Sequence, residues 1–137
     1  MLPKKDRIVI DTNLWISFLL SGNYAKLDKL IYTNSVVLLF SDELLEEFID
    51  VACRPKFRKY FTTEDLIKLL FIIEQNAEFI QVESELAICR DPKDNFLLAL
   101  ALEGKATHLL TGDKDLTELE KIGGTVIIPL TEYLKNK

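Results

Sequence analysis

Arg7-Ile8-Val9-Ile10-Asp11-Thr12-Asn13 is a short apolar run, rich in β-branched residues, that stops abruptly on an acid and two small polar residues. A run this short and continuous fits a strand buried on both faces, as in a parallel sheet. In open sheets of that kind ligands gather just beyond the carboxyl ends of the strands, which is where Asp11 falls. Two roles are open to it. It can cap the helix begun by Leu14-Trp15-Ile16, since Asp and Thr are good N-caps, or it can serve chemistry at the sheet edge.

The pattern recurs along the chain. A helix over 13–20 breaks at Ser21-Gly22-Asn23, a second spans 25–33, and Val36-Val37-Leu38-Leu39-Phe40 is a second core strand ending on Ser41-Asp42. Either polar residue can cap the helix over 43–52, whose core stripe is Leu44, Leu45, Phe48 and Val51. Pro55 ends that helix near Arg54. Thr62 and Asp65 form a capping-box-like start to a helix reaching Asn76, with Leu66, Leu69, Leu70 and Ile73 buried. A third strand is expected over 79–82. Asp91 then caps a helix with Pro92 at its first position and Asp94 in its first turn; Phe96 to Leu102 are apolar all round, and Gly104 stops it. A fourth strand over 106–110 runs into Thr111-Gly112-Asp113-Lys114-Asp115. A short helix over 116–121, a turn at Gly123-Gly124, a fifth strand over 126–128 and a helical turn over 131–134 complete the chain. This alternation predicts an α/β fold: a three-layer α/β/α sandwich around a mainly parallel sheet of four to five strands. With no repeat, linker or composition break, 1–137 reads as one domain.

Composition narrows the function classes. Hydrophobic residues are 48% and charged ones 28%, which excludes a disordered chain. Met1-Leu2-Pro3-Lys4-Lys5-Asp6 leads directly into a strand instead of a signal-type apolar stretch, and no apolar run approaches the roughly 18 residues that span a bilayer. A cytosolic protein without membrane contact is expected. Cys53 and Cys89 match no zinc or redox spacing and are read as reduced, buried or half-buried thiols. The net charge of −5 argues against a broad basic face for nucleic acid. It leaves a nuclease open, because carboxylates gathered around a metal ion supply negative charge.

In a parallel sheet the strand carboxyl ends lie on one edge, so Asp11 and Asp113 share it. Helix starts bring Glu43 or Glu47 and Asp91 or Asp94 to the same rim. Any one acid is explained by capping, worth about 0.3–2 kcal/mol, but the recurrence is not. Like charges about 4 Å apart repel by roughly 1 kcal/mol in water and about 4 at an effective dielectric near 20, so such a cluster either raises some of the carboxylate pKa values or recruits a cation. Oxygen-only donors favour Mg²⁺ or Mn²⁺, ions that serve phosphodiester cleavage. Other machinery is missing: His108 is the only histidine and sits inside a strand, and there is no phosphate-binding glycine loop or nucleophile elbow. The stretch Arg54-Pro55-Lys56-Phe57-Arg58-Lys59-Tyr60-Phe61 interleaves basic and aromatic residues, either to stack bases and neutralise phosphates or as a solvated loop whose aromatics pack back onto the core.

Together these residues resemble the PIN domain family of metal-dependent nucleases, and within it the toxin-like members of toxin–antitoxin modules. Its opening motif matches Ile8 to Asn13, its second acid Glu47, its third Asp94 and its fourth Asp113, and Arg54-Pro55-Lys56-Phe57 resembles the segment that follows the second acid. The resemblance covers nearly the whole chain. It implies cleavage of single-stranded RNA by a metal-activated water, with Mg²⁺ or Mn²⁺ held by Asp11, Glu47, Asp94 and Asp113. Asp115 and Asp91 become auxiliary ligands or helix caps, with capping favoured for Asp91, and Asn13 and Thr111 orient ligands or water by hydrogen bonds. Glu43 and Glu46 compete with Glu47, and the family register selects Glu47. Arg54, Lys56, Arg58 and Lys59 are candidate RNA contacts. The implied partners are an antitoxin protein and, through an exposed Trp15 or Tyr24, a second copy of the chain. The alternative is a non-catalytic module of the same fold that binds nucleic acid or protein. A haloacid-dehalogenase-type phosphatase is disfavoured, because Asp-Thr-Asn replaces its Asp-x-Asp, and a receiver domain because its paired acid near the first strand is absent.

Overall fold

The computed structural model describes residues 5–83 and 92–136, with the side chains of 92–94 outside that description. Its centre is β1 (Arg7–Ile10), which pairs in parallel with β2 (Val37–Phe40) on one side and β4 (His108–Leu110) on the other. The six-stranded sheet has the order β3-β2-β1-β4-β6-β5. Every pairing is parallel except that of β5 (Lys121–Ile122) with β6 (Thr125–Ile128). Neighbouring side chains in a strand point to opposite faces, yet Ile8, Val9 and Ile10 are 0%, 0% and 1% exposed. Both faces are therefore covered, as expected for an α/β/α sandwich. From β1 the chain moves outward to β2 and β3, then returns past β1 to β4. The topological switch point lies between β1 and β4.

Local chemistry sets the helices. α1 (Thr12–Ser21) ends at Gly22, whose φ of 65° suits a residue without a Cβ and lets its N–H bond the Phe18 carbonyl at 3.0 Å. The helix expected over 25–33 is divided: α2 (Ala25–Asp28) runs on into a π-type turn, Lys29–Thr33. α3 (Asp42–Ala52) is capped by Ser41, whose Oγ accepts the Leu44 N–H at 3.2 Å. α4 (Thr63–Asn76) starts on a full capping box, Thr62 with Asp65. α5 (Pro92–Glu103), α6 (Lys114–Thr117) and α7 (Leu130–Lys135) complete the set. No helix among the described residues is long and apolar enough to cross a membrane.

Two strands depart from expectation. β3 (Ala77–Phe79) follows α4 without a loop and lies two residues before the expected 79–82. It is an edge strand with Glu78 and Phe79 exposed, so no buried run marks it. β5, placed by the sequence at the end of a helix over 116–121, is instead the outer half of a hairpin turned at Gly123, whose φ is 56°. It brings the sheet to six strands.

Two side chains correct the sequence reading. Trp15, expected at a surface contact, is wholly buried, with its ring 5.7 Å from Phe18, 5.4 Å from Phe40 and 6.1 Å from Phe48. Cys53, expected to be buried or half-buried, is exposed, because α3 ends there and the chain turns outward at Pro55. Tyr24 is half-buried, and Cys89 lies outside the described residues.

The edge opposite the strand carboxyl ends is tied by polar contacts. Arg7 bonds the Gly104 carbonyl at 2.9 Å and Glu78 at 2.8 Å, holding Glu78 below the usual carboxylate range. Tyr133 on α7 donates to Asp6 at 2.6 Å and packs edge-on against His108, whose Nδ1 is 2.9 Å from the Thr107 hydroxyl. His108 is thus a packed imidazole at the start of β4, away from Asp11.

Trp15 yields a stability prediction. Trp15→Ala empties the aromatic cluster and should cost about 3–5 kcal/mol in urea unfolding. Trp15→Phe should cost less, because it also removes an indole N–H that is buried without a partner.

Candidate active site

The register Ile10↔Leu110 places the residues that follow β1 and β4 side by side. The Asp11 N–H donates to the Leu110 carbonyl at 3.0 Å, and the Thr111 hydroxyl donates to Asp11 Oδ2 at 2.7 Å. The Asp113 N–H in turn donates to the Thr111 hydroxyl at 3.0 Å. Thr111, 1% exposed, is a relay between the two strand ends. The sequence placed it in a supporting role, and its contact with Asp11 has the geometry of one.

Asp11 stands at the N-cap position of α1, but its side chain makes no cap hydrogen bond. Burial is the largest influence on its carboxyl and pushes it above the usual carboxylate range. The Thr111 hydroxyl and the Asn13 amide pull the other way, and the charge of Asp113 adds to the rise. Asp113, by contrast, does cap: its Oδ1 accepts the Asp115 N–H at 2.9 Å and begins α6.

Glu47 arrives from α3. Leu44, Phe48 and Ala52 bury one face of that helix, while Glu47, Val51 and, just beyond its end, Arg54 line a cleft of about 290 Å³ together with Asp11 and Asp113. Glu47 Oε2 accepts the Thr12 hydroxyl at 2.5 Å. Glu43 and Glu46 are exposed, and neither lines the cleft. The pair Thr12-Asn13, both adjacent to Asp11 in sequence, divides in space: Asn13 is exposed on the cleft wall, whereas the buried Thr12 is the one whose hydroxyl reaches Glu47.

Asp94 belongs to the first turn of α5, just before Phe96 and Leu97, which line the cleft. Its side chain and all of Asp91 lie outside the described residues. Asp115 is half-buried and does not line the cleft. Of the basic segment, Arg54 and Lys56 reach the cleft, Arg58 lines a neighbouring hollow, and Lys59 lies over the exposed Tyr60 with 5.3 Å from Nζ to the ring centroid. Phe61 is buried and Phe57 half-buried, so these two aromatics of the segment pack back onto the core.

Among the described residues, no three His, Cys, Asp or Glu side chains converge on one ion-binding point. The donor set still suits a hard, hydrated divalent cation. All the donors are carboxylate oxygens, Asp113 acts electrostatically on the buried Asp11, and Mg²⁺ keeps several waters while taking one or two carboxylates.

The PIN domain family matches residues 7–115. An uncharacterised protein of Methanocaldococcus jannaschii is 36% identical over 118 residues, covering 84% of this chain and 76% of that protein. Among solved structures, VapBC2 from Rickettsia felis bound to a DNA fragment from their promoter is similar with a TM-score of 0.58, over 88% of this chain and 96% of that chain. Its identity is 16%, so the likeness is one of fold.

The raised Asp11 carboxyl predicts a pH dependence. The folded chain holds this proton more tightly than the unfolded one, so stability falls as pH rises from the ordinary carboxyl range through the raised value and stays lower above it. Without metal at neutral pH, Asp11→Asn should therefore melt at or above the wild type, with the difference closing as pH drops below the ordinary carboxyl range. A loss above about 2 kcal/mol would show instead that the charge supports the fold.

Proposed function

The chain belongs to the PIN domain family, and from that premise we propose that it is a Mg²⁺- or Mn²⁺-dependent endoribonuclease cutting single-stranded RNA, the toxin of a toxin–antitoxin pair. The observation that carries this reading is the gathering of Asp11, Glu47 and Asp113 in one cleft whose wall also holds Arg54 and Lys56. Asp11, Glu47, Asp94 and Asp113 are the residues that would hold the ion, with Asp115 as an auxiliary. Bound there, the ion supplies Lewis acidity toward the phosphate and lowers the pKa of the attacking water. The chain's own contribution is positioning. Thr111 orients Asp11, Thr12 orients Glu47, and the helix-capping bond of Asp113 leaves its second oxygen for other partners. Asn13 borders the same space. Arg54 and Lys56 would draw an RNA phosphate toward a floor that otherwise repels it, with Arg58 and Lys59 adding charge outside.

The likeness of fold to VapBC2 supports an antitoxin as the protein that holds the activity in check, and the cytosol is the compartment where both would meet RNA. A homodimer belongs to the same reading, but not through the buried Trp15.

Purified protein with Mn²⁺ should cleave single-stranded RNA, chelation should stop it, and Asp11→Asn should lower kcat by at least about a hundredfold. If varied single-stranded RNAs stay intact with Mn²⁺, or Asp11→Asn cuts as fast as wild type, the reading fails. Metal-independent RNA binding without cleavage would then favour the non-catalytic module.

A further inference from the structure

Two hollows meet at Phe57. One is the acid cleft. The other, of about 260 Å³, lies between the end of α3, the turn Pro55–Phe57 and the start of α4, and its walls include Arg58, Phe61 and Thr62. Phe57 lines both hollows. Its ring is half-buried, with Phe61 stacked at 5.8 Å and 23° between the planes, and Lys56 Nζ lies 5.1 Å from its centroid. The exposed cations follow the same route: Arg54 and Lys56 line the acid cleft, and Arg58 lines the second hollow. Phe57 thus stands between the two hollows, with Arg54 and Lys56 on the side of the acids and Arg58 on the other.

Resting on the nuclease reading of the acid cleft, we propose that the second hollow is a nucleotide subsite. A single RNA strand lies across Phe57, with the bond to be cut at the acids and the adjoining nucleotide in the hollow beyond. Its base stacks against Phe57, and its phosphate meets Arg58. Three physical points support this occupant. The half-buried Phe57, backed by the buried Phe61, offers π surface, which any base accepts face to face and which a backbone phosphate does not use. Lys56 and Arg58 flank Phe57 along the chain, one lining each hollow, so a cation stands on either side of the aromatic wall for a phosphate on each side of the base. A paired base keeps its faces inside the duplex, so only an unpaired strand can deliver one to this wall. The subsite therefore selects single strands by shape rather than by reading base edges, and Phe57 is a positioning residue.

The test measures binding without metal. A short single-stranded RNA carrying 2-aminopurine is titrated into the chelator-treated protein, and fluorescence reports both affinity and stacking. Phe57→Leu, which keeps apolar volume but no π face, should weaken binding about tenfold or more and abolish the quenching. Phe57→Trp should retain both, and Arg58→Gln should weaken binding and flatten its salt dependence. Tyr32→Leu, which removes an exposed aromatic outside both hollows, should change neither. Duplex RNA of the same sequence should bind more weakly, and single-stranded DNA with the same quenching as RNA. Unchanged affinity and quenching in Phe57→Leu, equal binding of the duplex, or no binding of any single strand would overturn the subsite. The two readings fail separately. RNA cut in Mn²⁺ without dependence on Phe57 sinks the subsite alone, whereas Phe57-dependent stacking with no cutting sinks the nuclease and leaves the subsite standing.

Discussion

The parallel pairing of β1 with β4 is the constraint on which the rest of the structure depends. It sets Ile10 against Leu110, so the next residue on each strand emerges at the same point of the sheet edge. Because strand side chains alternate in direction, a slip of one residue would turn the Thr111 hydroxyl away from Asp11. The hydrophobic core and the polar site are thus held by one register. Ile8, Val9, Ile10, Leu109 and Leu110 are all buried in this alignment, so apolar packing and the polar contacts at the strand ends are satisfied together. The crevice at the switch point then follows from topology, because the connections leaving β1 and β4 diverge there.

What the sequence made legible follows from how strongly burial writes a pattern. β1, β2 and β4 are buried on both faces and stand out as apolar runs, whereas β3 and β5 are short edges whose half-exposed residues carry no such signature. Trp15 was misread because Leu14, Trp15, Ile16, Phe18, Leu19 and Leu20 are apolar almost all round α1, so periodicity cannot choose a buried face. The structure leaves Leu20 outward, 42% exposed, and turns Trp15 in. Cys53 was misread by composition, since thiols are commonly buried but this one sits where a helix runs out.

The candidate site shows a finer limit. Asp11 and Asp113 both follow a strand and precede a helix, and in sequence their claims to be caps are equal. In space they diverge: Asp113 accepts the Asp115 N–H and caps α6, while Asp11 accepts the Thr111 hydroxyl one strand away. Nothing local distinguishes them, because the deciding partner is 100 residues distant. Glu43 and Glu47 are likewise equivalent by helical spacing, and the Thr12 hydroxyl separates them across 35 residues. Residue types and the sheet edge are readable from local pattern. Roles within the site are set by long-range hydrogen bonds that local pattern does not contain.

The separation between Asp11 and Thr111 also bears on when the site comes into being. Closing so long a loop carries an entropic cost that is repaid only when the strands pair, and non-local parallel pairings of this kind are slow to form. A growing chain that has emerged only as far as α5 carries Asp11, Glu47 and Asp94 but no β4 beside β1, no relay to Asp11 and no Asp113. The central strand then has an open flank where the crevice belongs. The order of elements along the chain therefore keeps the acid cleft from existing until β4 and Asp113 have been made, and no segment that stops short of them carries it.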